Sequence, residues 1–300
     1  MSRPIRVVVC GGAGFLGSHV ADALSQAGHA VTVFDVKPSP YLRPEQQGVV
    51  GDILDADQVS GAVKGCDIVY NFAGIADIEE ANARPLETVR INILGNMVLL
   101  EAAKQEKVKR FVFASSLYVY SNAGAFYRST KQACELLIEN YRQAYGLPYT
   151  ILRYGSLYGD RADRQNWIYR ILHEAVTEGR IVRYGDGEEI REYIHVRDAA
   201  RYSMAVLVPE YENQHVIISG HQATKVRDLL TMIKEIMGGK IAVEYRSPDD
   251  TRSPFEAKLH YEVTPYSFKP TIAHKLVGND YLDLGQGLLT LLDEIYRSHH

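Results

Sequence analysis

A glycine-rich turn between a short apolar β-type run and a helical segment constrains this chain more than any other feature. Arg6 to Cys10 are mostly valine, and Gly11-Gly12-Ala13-Gly14-Phe15-Leu16-Gly17 come directly after, before a stretch of helical periodicity. In that strand-turn-helix setting the glycines permit a tight turn and bring backbone amides to a pyrophosphate at the helix N-terminus, while Gly17 lets helix and strand approach closely. Gly11, Gly14, Phe15, Leu16 and Gly17 are therefore candidate dinucleotide contacts. The second β-type run ends at Asp35, 18 residues beyond Gly17. A carboxylate there accepts hydrogen bonds from an adenosine ribose diol and repels a 2′-phosphate, which favours NAD over NADP despite the nearby Lys37.

The rest of the first half repeats the same alternation. Apolar runs at Arg6 to Cys10, Ala30 to Phe34, Gly48 to Ile53, Asp67 to Asn71, Arg110 to Ala114 and Tyr149 to Leu152 are separated by helical patterns. Two of these patterns are long, Pro85 to Lys107 and Tyr127 to Tyr145, the second closed by Gly146 and Pro148. Repeated βαβ units predict an α/β fold, a Rossmann-type doubly wound parallel sheet over residues 1–155. Beyond residue 155 the rhythm loosens, with helical patterns near Trp167, Asp198, Val226 and Gly285 and short strands near Ile181 and Val216. Residues 156–300 are expected to form a smaller α/β substrate-binding region, some of whose segments return to the main sheet. The stretch from Ser247 to Pro270 reads as irregular.

Composition excludes several classes. A formal charge of -4, with basic residues scattered rather than clustered, leaves no footprint for nucleic acid. Cys10, Cys66 and Cys134 are far apart and sit in apolar contexts, as expected for reduced core thiols, and no metal site is predicted. No apolar run approaches the ~20 residues of a membrane span, and the first ten residues lack a signal-peptide pattern, so a cytoplasmic location is the default expectation.

The chemistry is carried by Ser116, at the end of the fifth strand, and by Tyr127 and Lys131, four apart on one face of the next helix. An ammonium at that spacing is expected to lower the phenol pKa and make Tyr127 a general acid or base, with Ser116 bonded to the same substrate hydroxyl.

Taken together, these residues resemble the extended short-chain dehydrogenase/reductase family, especially its sugar-nucleotide epimerases and dehydratases. The resemblance covers about residues 5 to 200 and includes Asp52 with Ile53, the Asn71-Phe72-Ala73-Gly74 strand end and Asn92. It implies that Asp52 meets the adenine amino group, that Ile53, Phe72, Ala73, Gly74, Asn92 and Lys131 line the cofactor, and that Tyr127 is the acid/base, with Lys131 on the nicotinamide ribose. On the substrate side it implies Ser156, where relatives usually carry asparagine, with Asn166, and Arg191 on a nucleotide diphosphate. The region from Arg246 to Arg252 carries arginines where the family places a second phosphate contact, but its pattern does not match the family's and neither arginine is assigned.

Dehydratases and decarboxylases of the family carry acidic residues just after the catalytic Ser or Thr. Here those positions are Leu117 and Tyr118. The expectation is NAD-dependent epimerisation of a nucleotide sugar through a transient keto sugar, most simply at C4. A keto-sugar reductase or dehydrogenase, a dehydratase and a non-catalytic dinucleotide sensor are the alternatives. The two long helices resemble the family's four-helix homodimer interface. Tyr127 comes only 11 positions after Ser116, which predicts an unusual pocket edge from Ser121 to Phe126.

Overall fold

The computed structural model describes residues 4–247, 259–267, 269 and 271–299. Its first half runs β1 (Arg6–Cys10), α1 (Phe15–Gln26), β2 (Ala30–Asp35), β3 (Gln47–Val50), α2 (Ala56–Val63), β4 (Ile68–Asn71), α3 (Ile78–Ala83), α4 (Pro85–Val89), α5 (Gly95–Gln105), β5 (Arg110–Ser116), α6 (Ala125–Tyr145) and β6 (Tyr149–Tyr154). The long helical pattern after Pro85 is one continuous rod, with a π-helical turn at Arg90–Leu94 joining α4 to α5. The third strand stops at Val50, so Ile53 lies in the turn beyond it rather than in the strand.

The second half continues with β7 (Ser156–Tyr158), α7 (Trp167–Glu178), β8 (Arg180–Tyr184), β9 (Ile190–His195), α8 (Val196–Ala205), β10 (Gln214–Ile218), β11 (Ala223–Lys225), α9 (Val226–Ile236), β12 (Ala242–Arg246), β13 (His274–Lys275) and α10 (Leu284–His299). The main sheet has eight strands in the order β13-β10-β6-β5-β4-β1-β2-β3, every pair parallel. Two of them, β10 and β13, come from beyond residue 155 and pair outside β6. The smaller sheets are β11-β9-β7 and β12-β8.

A parallel sheet buried on both faces needs apolar side chains at every step, and alternation sorts them. Along β1, Val8 and Cys10 join the core shared with α2, α5 and α6, while Val7 and Val9 join the core shared with α1 and α8. On β5, Phe111 and Phe113 take the first side and Val112 the second. Cys10 and Cys134 are buried free thiols, and Cys66 is half-buried and also free. A third core gathers α7, α9 and α10 around Leu172, Leu229, Leu230 and Leu291. Among the described residues no helix is long and apolar enough to cross a membrane.

Leu172 is fully buried in that third core. Leu172→Ala is expected to lower the unfolding free energy by about 2–5 kcal/mol, read from urea denaturation; a change near zero would mean that this cluster does not contribute to global stability.

Candidate active site

The glycine turn sits against two strands at once. Gly11 adopts a left-handed φ of 76° and donates its amide to the Phe34 carbonyl at 2.9 Å. A Cβ on Gly11 would lie 2.6 Å from the Ala73 amide, and one on Gly17 would collide with the Gly11 carbonyl oxygen. The N-cap of α1, Gly14, offers no side-chain oxygen to the helix, and the first turn carries no acidic residue. Its leading amides are therefore directed outward beside the dipole's positive end, as a phosphate site requires. Asp35 lies beside this turn and accepts the Ala13 amide at 3.0 Å. A carboxylate next to a phosphate-sized cradle fits a ribose diol, so the residues present fit a dinucleotide. Asp52 is exposed and accepts the Leu54 amide at 2.9 Å, while the cap of α2 is Asp55 instead.

The end of β4 is fastened to the sixth helix by Asn92. Its Oδ1 accepts the Ile75 amide at 2.8 Å, and its Nδ2 donates to the Ile75 carbonyl at 3.0 Å and to Thr130 Oγ1 at 3.1 Å. Asn92 is buried in the π-helical turn and is spent on holding Phe72-Ala73-Gly74 in place. The resemblance implies a cofactor-lining residue there; in the structure the Asn92 amide bonds Ile75, just past Phe72-Ala73-Gly74, and Thr130 on α6. Gly74 approaches it so closely that a Cβ would lie 2.7 Å from Asn92 Oδ1.

Ser116, Tyr127 and Lys131 come together at the C-terminal end of β5. Ser116 caps the short 3₁₀ turn Leu117–Tyr120 by accepting the Tyr118 amide at 3.3 Å, and its hydroxyl is close enough to Tyr127 to favour the ionised phenol. Lys131 donates to the Ala114 carbonyl at 2.7 Å, with its Nζ 5.8 Å from the centre of the Tyr127 ring. Burial pushes the Tyr127 phenol up to about 12 against the Ser116 hydrogen bond. The expected lowering by Lys131 is thus not what dominates, because removing the phenol from water outweighs it. Burial also pulls Lys131 down to about 8, opposed by Cys134 and Glu135.

The short connection from Ser116 to Tyr127 folds back tightly. Ser121 donates its amide to the Tyr118 carbonyl, and Arg128 donates to the Ser121 carbonyl, each at 2.9 Å. The Tyr118 ring packs 6.1 Å from Tyr127 and 4.5 Å from Tyr261, and its hydroxyl meets His260 Nδ1 at 2.9 Å. The segment 259–264 thereby spans the site. It accepts the Gly124 amide at Leu259 and pairs with Ile190 on β9. No sequence signal links Tyr118 to His260, which are 142 residues apart.

The substrate-side candidates are placed unequally. Arg191 stacks 4.3 Å over the Tyr261 ring and uses Nη1 on the Ile190 and Glu262 carbonyls, each at 3.0 Å. Ser156 lies close enough to the Tyr261 hydroxyl to counter the rise that burial gives its phenol. Asn166 caps α7 through the Tyr169 amide and donates to the Leu157 carbonyl at 2.8 Å, so both ends of its amide serve the fold. Arg246 is exposed on β12 and paired with Glu244 at 2.7 Å. Arg252 lies outside the described residues, as does most of the stretch expected to be irregular.

The chain is similar to known proteins along most of its length. The family model described as "NAD dependent epimerase/dehydratase family" matches residues 7–218. A putative UDP-glucose 4-epimerase of Methanocaldococcus jannaschii is 28% identical over 81% of this chain and 86% of its own length. At the same 28% identity stands a UDP-N-acetyl-alpha-D-glucosaminuronate decarboxylase of Bacillus cytotoxicus, over 77% of this chain and 80% of its own. The UDP-glucose 4-epimerase of Thermotoga maritima, solved with UDP-glucose, superposes with a TM-score of 0.82 at 25% identity, covering 99% of this chain and 100% of that one. Similarity therefore does not choose between epimerisation and elimination or decarboxylation chemistry.

Asn92→Ala removes three hydrogen bonds, two to Ile75 past β4 and one to Thr130 on α6. It is expected to cost about 1–3 kcal/mol and to speed exchange of the Ile75 amide in hydrogen-exchange mass spectrometry. Unchanged exchange at Ile75 would show that the loop is held by other contacts.

Proposed function

The chain belongs to the NAD-dependent epimerase/dehydratase family, and from that premise we propose that it epimerises a nucleotide-activated sugar, at C4, through a transient keto sugar. The observation that carries this reading is the absence of an acid at the two positions after Ser116. Leu117 is fully buried in the core, and Tyr118 is walled in by Tyr127, Tyr261 and His260, with burial driving its phenol far above the ordinary tyrosine value. Eliminating water needs a carboxylic acid to protonate the leaving hydroxyl, and neither side chain supplies one. Transfer of hydride from a carbon and back needs only an acid/base at the adjoining oxygen.

NAD, when bound, would supply the hydride acceptor and donor. Gly11, Gly14 and the first turn of α1, with Phe15, Leu16 and Gly17, would hold its pyrophosphate, and Asp35 would hold the adenosine ribose. Asp52 and Ile53 border the adenine, and Phe72, Ala73 and Gly74 wall the cofactor. Tyr127 takes the proton from the reacting hydroxyl and later gives it back, while Ser116 orients that oxygen through its own hydroxyl. Lys131 contributes a positive charge one helical turn away, and Arg191 has donors free of its two carbonyl bonds for a diphosphate. Ser156 borders the same pocket through Tyr261.

The protein also pairs with a second copy of itself. Leu86 and Leu94 on the α4–α5 rod are 87% and 52% exposed, and Phe126 and Leu136 on α6 are 41% and 53% exposed. Large apolar side chains so exposed along two neighbouring helices are what an isologous dimer buries. Light scattering at micromolar concentration is expected to return twice the chain mass, and a monomer would refute the pairing.

The decisive experiment incubates the protein with NAD and a panel of UDP-, GDP-, CDP- and dTDP-sugars, with stereochemistry monitored by NMR and the nicotinamide by absorbance. Epimer formation without net NADH, lost by at least about a thousandfold in Tyr127→Phe, is the expected result. Net NADH or a dehydrated product overturns the epimerase reading. Asp35→Ala is expected to weaken NAD about ten- to a hundredfold by calorimetry while leaving NADP affinity nearly unchanged; equal losses for both would remove Asp35 from ribose recognition.

A further inference from the structure

The ridge of α6 that carries Tyr127 and Lys131 continues at the same four-residue step with Glu135 and Glu139. One face of the helix thus turns a phenol, an ammonium and two carboxylates towards the sheet. Glu135 is 2% exposed, and Arg153 on β6, opposite it, is 0% exposed. The pair is bidentate, with Arg153 Nε on Oε1 at 3.0 Å and Nη2 on Oε2 at 2.6 Å. Ser115, the residue before Ser116, donates to Oε1 at 2.5 Å. Arg153 is itself anchored: Nη1 donates to the Tyr120 hydroxyl and, at 2.6 Å, to the Thr271 carbonyl, and Nη2 meets His215 Nδ1 at 3.0 Å. His215 Nε2 and Thr271 Oγ1 reach Glu139 at 2.9 and 3.1 Å. With four fixed partners around the pair, Glu135 has no freedom to turn away.

Lys131, one turn earlier, makes its hydrogen bond to the Ala114 carbonyl rather than to an anion. A buried ammonium on a neutral carbonyl is lost to deprotonation unless a counter-charge stands nearby. The groups facing it are few. On its own helix the Cys134 thiol is pushed up to about 12 by burial and stays neutral, and the Tyr127 phenol is likewise protonated. Around the Glu135–Arg153 pair, Ser115 on β5 is a neutral hydroxyl, and His215 on β10 is pulled down to about 3 by burial and by Arg153. Tyr120 and Glu139 are occupied with Arg153 and His215. Glu135 is the anion left to act on the lysine.

We propose that Glu135 is a positioning residue for Lys131: clamped by Arg153 and Ser115, its carboxylate is the fixed counter-charge that keeps the lysine an ammonium on the Ala114 carbonyl. Its consequence for turnover rests on the catalytic reading of Lys131 and Tyr127, but the counter-charge itself does not. The pair with Arg153 also keeps Glu135 from swinging onto Lys131 and drawing it off the end of β5.

The test titrates Lys131 in the full-length protein labelled with ¹³C at the lysine ε-carbons, its resonance assigned with Lys131→Met, by NMR from pH 6 to 11. Removing an anion destabilises the charged form, so the midpoint must fall. It is expected near pH 8 in the unaltered chain, and Glu135→Gln should lower it by about one unit or more, a tenfold loss of proton affinity. Glu135→Asp, which keeps the charge but withdraws it by a methylene, should give an intermediate midpoint and decides the matter alone if the Gln variant fails to fold. An unchanged midpoint in either folded variant overturns the proposal. Turnover is read separately: the alkaline limb of its pH profile should move down with the midpoint. A moved midpoint with an unmoved limb supports the counter-charge and counts instead against the catalytic role of Lys131.

Discussion

Every strand of the main sheet runs in the same direction, and the rest of the structure depends on that constraint. Parallel strands place all their C-terminal ends along one edge, and each crossover helix must start from that edge. The candidate residues lie there without exception for the first six strands: Gly11 after β1, Asp35 ending β2, Asp52 after β3, Phe72 to Gly74 after β4, Ser116 ending β5 and Ser156 just past β6. Residues scattered over nearly half of the chain thus become neighbours by strand direction alone. The return of β10 and β13 to the same sheet extends the edge and brings the C-terminal half to it.

The seam between α6 and the sheet shows how such an edge is made polar without being unfolded by its own charges. Below it, Phe113, Cys134, Ile138 and Ile151 pack as an ordinary core. Above it, the helix ridge is ionic, and its two carboxylates are held from other elements: Glu135 by the Arg153 guanidinium, Glu139 by hydrogen bonds from His215 and Thr271. A buried ion pair of this kind is poor evidence for added stability, since desolvation offsets most of the attraction. Its value is directional, because a bidentate fork fixes a helix in rotation as apolar packing does not. Asn92 gives the same kind of fixation at the other end of the helix's buried face, through Thr130.

The cover of the site is assembled differently. Segment 259–264 has little regular structure and is held by backbone bonds to Gly124 and Ile190, by the Tyr118–His260 contact and by the Arg191–Tyr261 stack. It joins the opening of α6 to β9, so the two halves of the chain meet beside Tyr118 and Tyr127. The compact turn after Ser116 makes this possible, as a longer insertion would occupy the space taken by Tyr118 and Tyr261.

Much of this was legible in the sequence because it is written in short-range patterns. Strand direction derives from strand-helix alternation, the phosphate cradle from glycines whose spacing has one backbone solution, and the Tyr127–Lys131 pairing from helical periodicity. Those features depend on residues at most a few positions apart, and the backbone geometry that links them is local. What only the tertiary structure decided are pairings between groups with no such period: Arg153 with Glu135, Tyr118 with His260, Arg191 with Tyr261, Asn92 with Ile75 and Asn166 with the Leu157 carbonyl. The direction of the Tyr127 shift belongs with them. A phenol's proton affinity is set by how much water and charge the whole fold leaves around it, and spacing along a helix states neither.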